Sequence, residues 1–489
     1  MTDAHVLAVL TVLAPAALAA LVAAVPARLV ARVAVAGAVP AAAFGLALAC
    51  LSFARASRPA AGRWLVVDAA GGLLLAVIAV VGLASTAMSP SYLRGAPASF
   101  VSANRGERVY FAVLFVFWAV LDAVPLAGNL GVAWLLVEAS TAASAVLVGF
   151  SGKAPALEAG WKYLILTSLG LGVALLGIAM LMAGLPGGGI GSLAWHRLAT
   201  FSSGRPTALA AYLLLLTGLA AKIGWAPVHN WLPDAHSEAP PPVSALLSAA
   251  LLPAVLLVAW RSERALAPVI GSRPAHAVLI GFGLVSVAVA VPFLWRPMPF
   301  KRLLAYSSLE HLGVMALGVG FGTPLALAGV AVHIVGHALA KALGFYSAAP
   351  LLAHDPRAAK RAVSGIARSS PALGTAIGVS LGALSGLPPS PLFVSEVLIL
   401  AGGFASGQLW AAVAAAVLLA LGFLGLAHAT IETLAGEVPD REPARVRVPD
   451  MRPVTAFAGL AVVVLLAIAA AAPWLSGTGF VAALVRGVP

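Results

Sequence analysis

Apolar runs of about 20 residues recur from one end of this chain to the other, separated by short polar stretches. A run of that length, coiled as a helix, matches the thickness of bilayer hydrocarbon. In lipid every backbone donor and acceptor must be satisfied internally, so only helices and closed barrels can span. The period-two alternation of a barrel strand is absent. Charged residues make up 9% of the 489 residues, against 61% hydrophobic, where soluble chains carry about a quarter charged. The expected fold is an all-α polytopic membrane protein in a single membrane domain.

The runs predict 14 transmembrane helices, at approximately 5–25, 33–53, 65–88, 109–127, 130–150, 161–184, 207–228, 243–260, 276–294, 303–321, 323–346, 371–403, 409–430 and 453–475. The twelfth is too long for one simple span. Its middle, Gly386-Leu387-Pro388-Pro389-Ser390-Pro391, cannot be regular helix, because each proline lacks a donor and clashes with the preceding turn. Two half-helices with an unwound joint are expected there. Pro227, five residues after Lys222, marks a weaker break in helix 7. The segment from Trp231 to Ser244, with Pro240, Pro241 and Pro242 in succession, reads as a stiff interfacial connector that starts helix 8 sharply.

Loops after the odd-numbered helices carry about twice as many Lys and Arg as the opposite set, which predicts both termini outside and those loops in the cytoplasm. The net charge of +12 follows this placement and does not suggest a nucleic-acid partner. Met1-Thr2-Asp3-Ala4-His5 lacks a basic region, so a retained first helix is expected in place of a cleaved signal peptide. The longest polar stretch, 432–452, reads as a cytoplasmic connector, and no soluble domain is expected after helix 14. Cys50 is the only cysteine. That excludes a cysteine-ligated iron–sulfur cluster, a covalently attached c-type haem and a disulfide within this chain. No Gly-rich phosphate loop follows a strand, so any redox energy must come from a partner.

Glu138, Lys222, Lys341 and Glu396 interrupt otherwise apolar runs. Each charge near the bilayer centre costs about 2.5–3.5 kcal/mol on insertion scales, so such residues pair, neutralise or meet water. Glu138 has small polar neighbours (Ser140, Thr141, Ser144) that could hold water; a structural ion pair between helices is the plainer alternative. Snorkelling to the interface is the plainer account of Lys222. His333, His337 and Lys341, at i, i+4 and i+8, lie on one stripe of helix 11, each about 40° further round and together spanning about 12 Å. Such a stripe can pass a proton through intervening water; packing histidines are the alternative. A metal between the two histidines lacks a nearby carboxylate or cysteine in sequence, and a b-type haem would need facing histidines such as His311 and His428. Glu396 follows the break in helix 12, where it either meets water or complements a half-helix dipole. Glu310 and His311 are further candidates for a path or gate, with Ser307 and Ser308 as candidate N-caps of helix 10.

Three blocks resemble the antiporter-like membrane subunits of the complex I and membrane-bound hydrogenase superfamily. The first runs from Lys222 to Ala250 and includes Trp225, Pro227, Trp231, Pro233, Asp234 and the three prolines 240–242. The second is Lys301-Arg302-Leu303-Leu304-Ala305-Tyr306-Ser307-Ser308, followed by His333, His337 and Lys341. The third is Gly386-Leu387-Pro388-Pro389 before Glu396. Val137-Glu138-Ala139-Ser140-Thr141 and Ser308-Leu309-Glu310-His311-Leu312-Gly313 look most like hydrogenase-4 component F.

The resemblance implies an inverted repeat of two five-helix units, helices 4–8 (109–260) against helices 9–13 (276–430), flanked by helices 1–3 (1–108) and helix 14 (453–475). It implies that Glu138 and Lys222 gate proton movement, that His333 and His337 lead to a central Lys341, and that Glu396 is a terminal site. Ser248 stands where related subunits often have His, so the link from Lys222 to helix 11 falls to water or to Ser244 and Ser248. The implied function is proton translocation within a multi-subunit redox complex of hydrogenase or formate hydrogenlyase type in a bacterial inner membrane. Other membrane subunits and a peripheral redox arm would be its partners, and those partners would hold iron–sulfur clusters with nickel–iron or flavin. No cofactor or metal is expected in this chain. A proton-pumping subunit of NADH:quinone oxidoreductase, a stand-alone cation/proton antiporter and a scaffold that has lost pumping are the alternatives.

Overall fold

The computed structural model describes residues 3–55, 60–95, 103–437 and 451–477, with Gly479, Ala482 and Leu484. Thirteen of its helices are long and apolar enough to cross a membrane, and two shorter apolar helices make up one further crossing. They are α1 (Asp3–Ala24), α2 (Val30–Ala54), α3 (Ala69–Gly95), α4 (Ala103–Leu126), α5 (Leu130–Val148), α6 (Ala154–Ala183) and α7a (Arg205–Ile223). After the short α7b (Leu232–Glu238) follow α8 (Pro241–Ile270), α9 (Ser272–Leu294), α10 (Phe300–Phe321) and α11 (Pro324–His354). The chain then forms α12a (Pro371–Leu384), α12b (Pro391–Ala405), α13 (Leu409–Ala435) and α14 (Arg452–Gly477). The protein is thus an all-α polytopic membrane protein. The connector expected over 432–452 lies mostly outside the described residues.

Burial grades from a fully buried centre to a lipid-facing rim. Every residue in the apolar stretches of α8 and α10 is buried, whereas in α1 and α14 the share is 28%. Side chains such as Trp161, Leu169 and Trp410 stand exposed on the rim, as a bilayer solvent requires. At the centre α11 packs against α3, α8, α10, α12a, α12b and α14. Close approach of α9 and α10 rests on a reciprocal glycine pair. A β-carbon on Gly283 would sit 2.8 Å from the Gly313 carbonyl, and one on Gly313 would sit 2.9 Å from the Gly283 carbonyl. In lipid such close backbone packing replaces the hydrophobic drive that water supplies elsewhere.

Helices 7 and 12 are both broken, as the prolines predict. α7a stops at Gly224, whose φ of 82° ends the helix in a left-handed cap. Gly386, at φ 72°, opens the joint after α12a. Each joint contains a cis proline peptide, Ala226–Pro227 and Pro388–Pro389. Pro391 does not extend the second break. It occupies the first turn of α12b, where Ser390 caps the helix by accepting from the Phe393 amide at 3.2 Å.

The segment 231–244 starts helix 8 at Pro241 as its prolines predict, and it is more ordered than a bare connector. Leu232–Glu238 is helical, and Trp231, Leu232, Pro233, Ala235 and His236 are all buried. Its end is secured from α10: the Lys301 ammonium donates to the carbonyls of Ser237 (2.7 Å) and Ala239 (2.5 Å). A cation on the last carbonyls of a short helix is the favourable end of its dipole. The segment is therefore a packed half-helix after the break, with Asp234 on its outer side paired to Lys162 and Arg302. The N-capping role considered for Ser307 and Ser308 is also corrected. α10 begins at Phe300 after Pro299, so both serines sit mid-helix and donate to the Leu304 carbonyl at 3.1 and 2.9 Å.

Candidate functional site

Two polar clusters occupy the apolar interior, one beside each broken helix. In the first, α7a carries Lys222 one residue before its end, fully buried. Its ammonium donates to Thr141 Oγ1 on α5 and to the Tyr163 hydroxyl on α6, both at 2.6 Å. Tyr163 is hydrogen-bonded in turn to Ser144 Oγ at 2.7 Å and packs on Trp231, with ring centroids 4.7 Å apart. Glu138 is half-buried and does not take the ammonium directly. Its Oε1 accepts from Ser168 Oγ at 2.6 Å, and its Oε2 has no hydrogen-bond partner among the described residues. Neither a direct structural ion pair with Glu138 nor snorkelling therefore describes Lys222. Two hydroxyls hold it in place.

In the second cluster Lys341 is fully buried on α11 and donates to the Leu304 carbonyl at 2.5 Å and to Ser307 Oγ on α10. His333 lies two turns earlier on α11. Its Nε2 is 3.0 Å from His311 Nδ1 on α10, and its Nδ1 is 2.8 Å from Ser395 Oγ on α12b. The Ser395 hydroxyl already gives its one proton to the Leu392 carbonyl at 2.7 Å. It must therefore accept from His333, which places that proton on His333 Nδ1 and leaves Nε2 as a lone pair. His311 then donates from Nδ1, and its Nε2 is a bare acceptor. That atom makes no well-aligned hydrogen bond among the described residues, with the Leu384 backbone near the ring, and the same holds for both nitrogens of the buried His337, which lies near the Ser248 backbone and 5.2 Å from His311. Buried imidazole nitrogens without partners are the usual seats of interior water.

The acidic members complete this cluster. Glu310 is buried on α10 within electrostatic reach of Lys341 and of Glu396. Glu396 is the sixth residue of α12b, beyond the first turn where a helix dipole acts strongly, so capping does not account for it. A β-carbon on Gly386 would sit 3.0 Å from its Oε2, so the carboxylate folds back over the break. The missing carboxylate of the sequence reading is supplied here: ligand atoms of His311, His333 and Glu396 all lie within 4.8 Å of one another. His428 is elsewhere, stacked on Trp295, while His311 is bonded to His333, so the facing pair of a haem is not formed.

Ser248 and Ser244 divide their tasks differently from the expectation. Ser248, in a π-turn of α8, bonds Ser308 of α10 at 2.8 Å. Ser244 donates to the backbone carbonyl of His236 at 2.9 Å and belongs to the packing of α7b. Sequence reasoning missed Tyr163, Ser168 and Ser395, which hold the ionisable groups. It also missed a fully buried ion pair, Arg261 Nη2 to Asp68 Oδ2 at 2.7 Å, whose Nη1 donates to the Pro125 carbonyl at 2.8 Å. The available signal was an aspartate just inside one apolar run and an arginine just past the end of another.

The comparisons agree with this architecture. A hydrogenase-4 component F homolog from Methylacidiphilum infernorum is 35% identical over 303 residues, which cover 60% of this chain and 63% of that protein. The match thus spans somewhat under two thirds of that relative. NADH-quinone oxidoreductase subunit N from Desulforudis audaxviator is 30% identical over 380 residues, 74% of this chain and 71% of that one. A chain of the membrane-bound sulfane sulfur reductase, an archaeal respiratory membrane complex, has the same fold, with a TM-score of 0.82 at 19% identity, covering 99% of this chain and 96% of that chain. The pattern of the family described as NADH:quinone oxidoreductase/Mrp antiporter, transmembrane, runs through residues 127–422, the stretch that carries both polar clusters, and the chain belongs to that family.

Proposed function

We propose that this chain is the proton-translocating membrane subunit of a multi-subunit redox complex, of the membrane-bound hydrogenase type. One observation carries the reading: buried lysines, histidines and carboxylates are gathered into two hydroxyl-lined clusters, each beside an unwound joint. Unwound backbone at membrane depth is tolerated where it lines a wet cavity or is buried in protein. Lys222 gives up or takes a proton depending on its distance from Glu138, and His333, His311, His337 and Lys341 carry it across the middle. Glu310 and Glu396 form the exit. The two units, 109–260 and 276–430, act as the inverted halves of the path.

Electron transfer takes place in partner subunits holding iron–sulfur clusters with nickel–iron or flavin. The hydrogenase branch is favoured by the 35% identity to the component F homolog; the match to subunit N supports the NADH:quinone branch as second reading. The Lys/Arg asymmetry supports an inner-membrane orientation with both termini outside. Purification of the intact complex in mild detergent, with metal and flavin analysis of what accompanies the chain, separates the branches. A chain recovered without redox partners would favour a stand-alone antiporter. Lys222→Ala in the intact complex is expected to lower the proton-to-electron ratio while partner electron transfer continues; an unchanged ratio refutes the path.

A further inference from the structure

Besides any role in proton passage, the second cluster brings two imidazoles and a carboxylate together from three different helices. We infer that His311, His333 and Glu396 form a binding site for a divalent transition metal of the zinc class, spanning α10, α11 and α12b. Their ligand atoms lie within 4.8 Å of one another, and the two imidazole nitrogens that face each other are 3.0 Å apart. A tetrahedral zinc with bonds of about 2.1 Å holds its ligand atoms about 3.4 Å apart. The histidine pair is already near that spacing, and the carboxylate needs only to swing inward from a half-buried position on α12b.

The surroundings are built as a metal site requires. Ser395 holds His333 by Nδ1 at 2.8 Å and thereby presents the Nε2 lone pair to the centre, the orienting hydrogen bond that ligating histidines need. His311 frees its Nδ1 by moving the proton to Nε2, an atom with no well-aligned hydrogen bond to lose. No proton has to leave the protein for that change of tautomer. Glu396 joins as carboxylate, and its charge offsets half of the ion's. The fourth position falls to water or to His337, whose two nitrogens make no well-aligned hydrogen bond among the described residues and whose ring lies 5.2 Å from that of His311. Two nitrogens and one oxygen suit Zn²⁺, Co²⁺, Ni²⁺ or Cu²⁺, and do not suit Na⁺ or Mg²⁺, which need oxygen cages.

Occupation would tie the half-helix after the second break to the two central helices. Binding stands independently of the function proposed above; the further consequence, that bound zinc stops proton translocation by taking the relay nitrogens, rests on that reading.

The test uses the full chain in lipid nanodiscs, purified through a tag without histidine and stripped with a chelator, with Co²⁺ as the probe. We expect one equivalent of Co²⁺ per chain, visible d–d bands of low-coordinate cobalt, displacement by Zn²⁺ and indifference to Na⁺ and Mg²⁺. Glu396→Gln and His311→Gln should each weaken binding at least tenfold, and Ser395→Ala by about 10- to 100-fold. Absence of the bands, or equal affinity in wild type and in both ligand variants, overturns the site. Zinc-edge X-ray absorption on the wild-type chain requires no variant to fold: a shell with two imidazoles supports the site, and an all-oxygen shell overturns it. Metal binding without any loss of proton flux in the complex would leave the site standing and count against the relay.

Discussion

The carboxylate of Glu310, on α10, fills the space that a β-carbon on Gly422 of α13 would occupy. An acidic side chain in the central cluster is thus accommodated by bare backbone on a neighbouring helix. Gly422→Ala is expected to push the Glu310 carboxylate out of place, at little cost in stability because the obstacle is the far end of a flexible side chain. The proton-to-electron ratio of the assembled complex should fall with it. Gly172→Ala is the control: nothing lies within 4 Å of a β-carbon there, and its higher helix propensity should leave thermal stability unchanged or raised. Equal effects of the two substitutions would refute the assignment.

Tyr163→Phe removes one of the two hydroxyls that hold the Lys222 ammonium. A hydrogen bond to a charged group contributes about 1.5–3 kcal/mol, so the loss should appear in denaturation of the purified protein. Because Thr141 holds the same ammonium, Thr141→Val and Tyr163→Phe should be coupled by at least about 0.5 kcal/mol in a double-mutant cycle. Strict additivity would contradict the shared geometry.

Ser307 and Ser308 are neighbours with different duties. Ser307 accepts from Lys341, whereas Ser308 pairs with Ser248 of α8. Ser307→Ala should slow proton translocation about tenfold, equivalent to about 1.4 kcal/mol of barrier. Ser308→Ala should affect stability more than rate. Proton uptake by reconstituted complex, measured beside thermal unfolding, distinguishes the two outcomes.

The Arg261–Asp68 pair joins α8 to the start of α3, apart from both clusters. Removing one partner, as in Asp68→Ala, strands a buried charge and should cost about 3–5 kcal/mol. The amount of assembled protein in the membrane should drop sharply. What does assemble should keep its proton-to-electron ratio. Replacing both residues with apolar ones of similar volume should restore assembly.

Crossings and breaks were legible in the sequence because each is a local matter: an apolar run of given length, or prolines that cannot continue a helix. The stripe of His333, His337 and Lys341 was legible for the same reason, since periodicity fixes which side chains share a face. What those side chains meet was not legible. Tyr163 reaches Lys222 across 59 residues of chain, Ser395 reaches His333 across 62, and Arg261 reaches Asp68 across 193. Periodicity gives a face its composition and leaves its neighbour unspecified. The start of α10 was misplaced because Pro299 opens that helix, and serines deeper in the run resembled caps only by residue type. The short helix after the first break was hidden by its prolines, which favour the first turn of a helix as readily as a loop.

Lys301 holds the last carbonyls of α7b from the first turn of α10, and the same helix bears His311 and Glu310 further along. α10 therefore works as a connecting rod. One end is pinned to the far end of the half-helix that follows the first break, and its middle bears on the imidazoles beside the second. Close-packed interiors transmit displacement with little give. A shift of this rod along its axis would load the half-helix after the first break and the imidazoles beside the second break together.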